Sequence, residues 1–150
     1  MTRINSAISV KNLTDEHLLA EHREIKRLPN WLLTSIKWRT VPRIPDTFTL
    51  GEGHVRFFYG KMAFTLKRFK EIHAECLERG FNVTDYSGNW DDLKNNYGNL
   101  LYWKDYIPTV AEHTMLVKRI TERIRDGKKT TYHYYGKPIT REQAIELLNK

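Results

Sequence analysis

The chain has 150 residues, 40% of them hydrophobic and 12% aromatic, and a formal net charge of +7. This composition excludes a disordered or fibrous chain and allows one domain with its own core, while the basic balance points to a polyanionic partner. Cys76 is the only cysteine, so no disulfide can form within the chain, and no apolar run approaches the ~20 residues needed to span a membrane.

Residues 1–12 read as an extended arm. Thr14 is a good N-cap for a first helix, with Asp15 and Glu16 in its first turn and His17 three positions after the cap. Leu18, Leu19, Ile25 and Leu28 form its apolar stripe. Pro29 is expected to end or kink it, with residues 31–36 continuing at an angle. Pro42, Pro45, Gly51 and Gly53 mark a connection over residues 39–54 that should pack on the core or approach a ligand. Apolar residues three to four apart then predict a helix over 55–79, closed by Gly80. Residues 81–104 read mostly as loop, with a helical turn near 90–95.

A third helix is expected from Pro108 to about Arg125, ended by Gly127. Residues 128–139 read as a basic, tyrosine-rich irregular segment, and Thr140 with Gln143 makes a capping box for a short last helix, Arg141 to Leu148. The fold class predicted is therefore all-α: one compact domain of three main helices with long loops, plus a short C-terminal helix. The rings of Phe57, Phe58 and Phe69 and the tryptophans Trp31, Trp38, Trp90 and Trp103 are expected in the core.

Two features carry chemistry. Thr2 is small, so an aminopeptidase can remove Met1 and leave a free α-amine, whose reference pKa of about 7.7–8.0 makes it nucleophilic near neutrality. His17, Arg23, Glu24 and Arg27 lie on the first helix, where a carboxylate and two guanidiniums would complete a site for Schiff-base chemistry on an anionic substrate. The same residues could equally form a solvated helix face. The second feature is a basic strip over residues 118–137, with seven cations against Glu122 and Asp126, that runs into Tyr132-His133-Tyr134-Tyr135. It has the composition of a phosphate-tracking surface with stacking rings. No histidine pair has HExxH spacing, so no metal is expected, and His54 and His73 read as packing residues.

The chain resembles the phage-type endonuclease V family, pyrimidine-dimer DNA glycosylases with AP-lyase activity. The resemblance rests on Met1-Thr2-Arg3-Ile4-Asn5, on residues 17–24 with Arg27, and on residues 47–55 with Phe57-Phe58-Tyr59. It continues through residues 74–82 and Asp105-Tyr106-Ile107-Pro108 to residues 132–137, in family order. It implies a single family domain over residues 1–139, with 140–150 as an added C-terminal helix. It implies a monomer that acts on duplex DNA bearing UV lesions or abasic sites, in the cytoplasm or on the nucleoid, without a membrane. It also implies that Thr2 attacks C1′ of the damaged nucleotide and that Glu24 is the essential carboxylate. Arg3, Glu16, His17, Arg23, Arg27, Arg119 and Arg123 would contact the DNA, with Tyr132, Tyr134, Tyr135 and Lys137 supplying the aromatic tail. In this family the base flipped out of the duplex is the adenine opposite the lesion.

Four positions depart from the family pattern. Glu16 stands for a glutamine, His22 for a tyrosine, Thr131 for a tryptophan and His133 for a lysine. The nucleophile and carboxylate are kept. Two other readings remain: a lyase for other modified pyrimidines or abasic sites alone, and a catalytically silent DNA-bending protein.

Overall fold

The computed structural model describes residues 2–98 and 101–150. Met1, whose removal the imine chemistry requires, lies outside the described residues, as do Asn99 and Leu100. In chain order come α1 (Asp15–Ile25), α2 (Arg27–Lys37), α3 (His54–Phe57), α4 (Met62–Glu78), α5 (Asp91–Tyr97) and α6 (Val110–Asp126). Strands β1 (Thr131–Tyr134) and β2 (Lys137–Thr140) and helix α7 (Arg141–Leu148) complete the chain. No helix among the described residues is long and apolar enough to cross a membrane.

The fold is predominantly helical but not all-α. Residues expected to be irregular form an antiparallel hairpin pairing Thr131 with Thr140 and Tyr134 with Lys137. Its two-residue turn, Tyr135-Gly136, has both φ angles positive, 52° and 77°. That geometry matches the twist of paired strands, and glycine supplies one of its two positions without strain. A tyrosine in the other gives no hairpin signal in the sequence.

Several local signals produce the structures their chemistry predicts. Thr14 Oγ1 accepts the His17 backbone N–H and opens α1. At the end of α4, Phe81 N–H donates to Cys76 O and Gly80 N–H to Leu77 O, with Gly80 at φ 85°. This is the Schellman pattern that the left-handed conformation of glycine permits. Thr140 and Gln143 form the reciprocal capping box of α7.

Other boundaries differ from expectation. The first helix breaks at Lys26, and Pro29 sits in the first turn of α2, where its missing N–H has no intrahelical partner to lose. The helix expected over 55–79 is broken by a 3₁₀ turn, Phe58–Gly60, before α4. Gly60 lowers helix propensity at that point. Helix α6 starts at Val110 rather than Pro108, because the Thr109 hydroxyl accepts the Glu112 N–H and caps it. Trp31 and Trp38 are exposed rather than in the core, Trp38 by 75%, whereas Trp90 is buried and donates to Thr65.

The N-terminal segment is not a loose arm. Ile4 and Ile8 are fully buried, and two arginines, Arg68 of α4 and Arg79 at its C-cap, bind the carbonyls of the segment. Arg68 forks onto Glu21 of α1, with Nε and Nη2 at 2.8 and 3.1 Å, and donates Nη1 to Ile8 O. Arg79 pairs with Glu75 and Asp15 and donates to Leu13 O and Val10 O. Irregular backbone can be buried only when its polar groups find such partners. The two arginines therefore fix residues 8–13 of the N-terminal segment against α1 and α4.

Candidate active site

Helix α1 ends one residue after Glu24, and α2 opens on Arg27. The bend at Lys26 turns the Arg27 side chain toward the N-terminal segment. Arg27 Nη1 donates to Thr2 Oγ1 at 3.1 Å and lies 3.8 Å from Glu24 Oε1. One guanidinium thus links the threonine to the carboxylate. Thr2 is buried, and Glu24 is partly exposed.

Glu24 faces a cleft of about 320 Å³ lined by Arg3, Asn5, His17, Ala20, Glu21, Glu24, Ile120 and Arg123. Positions 17, 20, 21 and 24 repeat at three to four residues, so one face of α1 forms a wall, as the spacing of His17 and Glu24 predicts. Arg3 supplies another side and Arg123 of α6 a third. The Arg3 guanidinium is held down to about 10, chiefly by burial, then by the positive charges of Arg123 and Arg119, with Glu24 opposing them. Crowding three cations is unfavourable in the free protein and is relieved when an anion enters.

His17, half-buried, lines this cleft. Its Nδ1 lies 2.8 Å from Thr14 Oγ1, and its ring stacks on Tyr132 at 5.7 Å. Burial, ahead of any neighbouring charge, lowers its pKa. Arg23 is exposed on the last turn of α1, and the bend at Lys26 places it on a different helix from Arg27.

The hairpin is anchored to α1 and α4. Glu16 accepts the His133 backbone N–H and Nδ1–H at 2.8 and 2.7 Å, with Lys129 Nζ at 3.9 Å. Although burial opposes it, the bonds from His133 bring the net pKa of Glu16 below the usual carboxylate value. Glu16 and His133, two of the departures from the family pattern, therefore compensate each other. Asp15 accepts the Tyr135 and Gly136 N–H groups. The Tyr134 hydroxyl donates to Lys11 O, the Tyr135 hydroxyl to Glu75, and both rings flank the Arg79 guanidinium. Lys137 is exposed on β2.

The structure thus gathers Arg3, His17, Glu24 and Arg123 around one cleft, with Arg119 in electrostatic reach of Arg3 and Thr2 joined to Glu24 through Arg27. Glu16, Tyr132, Tyr134 and Tyr135 are tied into the hairpin anchor beside it. Asn5 and Glu21 line the cleft without having been singled out in the sequence. Thr2 itself lines a second cleft of about 290 Å³, with Trp31, Gly51, Gly53, His54, Val55, Arg56 and Tyr59. His54 donates into the loop and accepts from the N-terminal segment there. Its position in Gly51-Glu52-Gly53-His54 was the only sequence cue.

A family model described as pyrimidine dimer DNA glycosylase matches residues 1–87, more than half of the 150-residue chain. The match contains Thr2, Arg3, Glu24, Arg27 and His54 and stops short of α6 and the hairpin. The chain therefore belongs to the pyrimidine dimer DNA glycosylases, a family of DNA-repair glycosidases that act on DNA damaged by pyrimidine dimers.

Proposed function

We propose that the protein excises cyclobutane pyrimidine dimers from duplex DNA through the Thr2 α-amine and then nicks the strand by β-elimination. The observation that carries this reading is the Arg27 bridge, which holds Thr2 against Glu24 at the edge of a cationic cleft.

Once Met1 has been removed, the neutral amine attacks C1′ of the 5′ nucleotide of the dimer. The C1′–N bond breaks, its electron pair leaves with the pyrimidine, and the base takes up a proton. The sugar ring opens to a protonated imine joining Thr2 nitrogen to C1′. Loss of the 2′ proton then drives elimination of the 3′ phosphate. Glu24 is the group placed to stabilise the cationic sugar and imine and to move these protons. Arg3, Arg119 and Arg123, with the exposed Arg23, hold the phosphates of the distorted strand. His17 on Tyr132 forms a wall beside them. The active species is a monomer on double-stranded DNA and uses no cofactor.

Borohydride trapping tests the reading on two duplexes, one with a cyclobutane thymine dimer and one with an abasic site. A covalent adduct on both, lost on the dimer in Glu24→Gln, is the expected result. An adduct on the abasic duplex alone would favour a lyase with another substrate range. No adduct from protein lacking Met1 would leave a DNA-binding protein.

A further inference from the structure

If Thr2 supplies the nucleophile, its amine must be held in place by the few residues behind it. Arg27 holds the side chain of Thr2. The backbone is held elsewhere: Ile4 N–H donates to His54 Nε2 at 2.9 Å, in a buried bond that joins residues fifty apart in sequence. The Ile4 side chain is fully buried, so the segment is fixed two residues from the amine.

His54 is arranged to be an acceptor on that side. Its other nitrogen, Nδ1, lies 2.8 Å from Thr49 O, which can only accept. The proton is therefore on Nδ1 and the lone pair of Nε2 faces Ile4. Phe48 and Phe58 meet the ring edge-on at 5.5 and 5.4 Å, while its two hydrogen bonds set its orientation. Gly53, at φ 92°, makes the left-handed turn that leads the chain into His54. Burial is the main reason that the imidazole pKa is lowered to about 4; the bond to Thr49 opposes this and the charge of Arg3 adds to it. The ring stays neutral, and its acceptor available, throughout the neutral range. An apolar side chain could fill the space between the two phenylalanines, but it could not bind the Ile4 N–H.

We infer that His54 is a positioning residue for the reaction: by accepting the Ile4 N–H it sets the place and direction of the Thr2 amine relative to Glu24. The inference rests on the reading of Thr2 as nucleophile.

The test compares full-length wild type, His54→Leu, His54→Gln and Phe48→Leu. Single-turnover borohydride trapping is measured at saturating abasic duplex. Affinity is measured on a duplex with a tetrahydrofuran abasic analogue, which cannot form an imine, and thermal midpoints are recorded for all four proteins. His54→Leu is expected to slow trapping by about tenfold or more, as small misplacements of a reacting group do, with affinity changed less than about twofold. His54→Gln, which offers an oxygen to Ile4 and an N–H to Thr49, should regain most of the rate. Phe48→Leu removes packing at the same place and should keep the wild-type rate even with a lowered midpoint. Wild-type trapping by His54→Leu, an equal loss in Phe48→Leu, or a well-folded His54→Gln as slow as His54→Leu would overturn the inference. No trapping by wild type would overturn the imine chemistry, and the role of His54 with it, so the wild-type lane separates the two failures.

Discussion

Arg27→Ala should separate catalysis from stability. The Arg27 guanidinium is 42% exposed, and its contact with Glu24 is 3.8 Å long. Such a pair contributes under about 1 kcal/mol to the fold. The bond to Thr2 Oγ1 adds about 1 kcal/mol. Together the loss should lower the thermal midpoint by roughly 2–6 °C for a chain of this size. The rate should respond far more, because the same bond orients Thr2 against Glu24. Trapping at saturating abasic DNA should slow by about 10- to 100-fold. Thr2→Ala supplies the control, since it keeps the α-amine and removes the hydroxyl that Arg27 holds. If Arg27 acts through that hydroxyl, the two substitutions combine to much less than the product of their separate effects. A rate within about threefold of wild type in Arg27→Ala, or a double variant showing the full product, would refute the reasoning.

Three further outcomes follow from the geometry. Arg68→Met leaves Glu21 buried and unpaired and should cost about 3–5 kcal/mol in urea unfolding, whereas Arg68→Met with Glu21→Leu should recover much of it; an equally unstable double variant would argue against the pairing account. The unfolded chain protonates His54 near the ordinary imidazole value of 6.5 and the native chain near 4, so stability present above that window is lost as pH falls through it, by about 3 kcal/mol. His17 and His22, also lowered chiefly by burial, act in the same direction, and His54→Gln should flatten the curve measured by urea midpoint against pH. Arg123→Gln removes a charge that crowds Arg3. It should leave the free protein as stable or up to about 0.5 kcal/mol more so, while reducing the slope of log affinity against log salt by about 1; an unchanged slope would place Arg123 away from the phosphates.

What the sequence discloses divides by range. The Thr14 cap, the glycine closure at Gly80 and the Thr140–Gln143 box depend on neighbours within a few residues, and each forms as its chemistry predicts. The face of α1 that carries His17, Glu21 and Glu24 follows from helical spacing alone. The hairpin is hidden because its strands are four residues long and its turn puts a tyrosine at positive φ. The break at Lys26 is hidden because Pro29 offers a stronger local signal that a first-turn position neutralises. Trp31 and Trp38 look like core by type, yet end on the surface because α2 turns its other face, with Leu28 and Leu32, inward. In the site, Glu24 and Arg27 lie three residues apart, and Thr2 is marked by its place directly after Met1. His54, Glu21 and the pairing of Glu16 with His133 acquire meaning only through contacts tens of residues apart.

Mass spectrometry of the trapped complex tests the central claim most directly. After borohydride reduction on an abasic duplex and digestion, the sugar remnant should sit on the N-terminal peptide, at the amine of Thr2, with Met1 gone. A remnant on any lysine, or a trapped species that still carries Met1, would contradict the account.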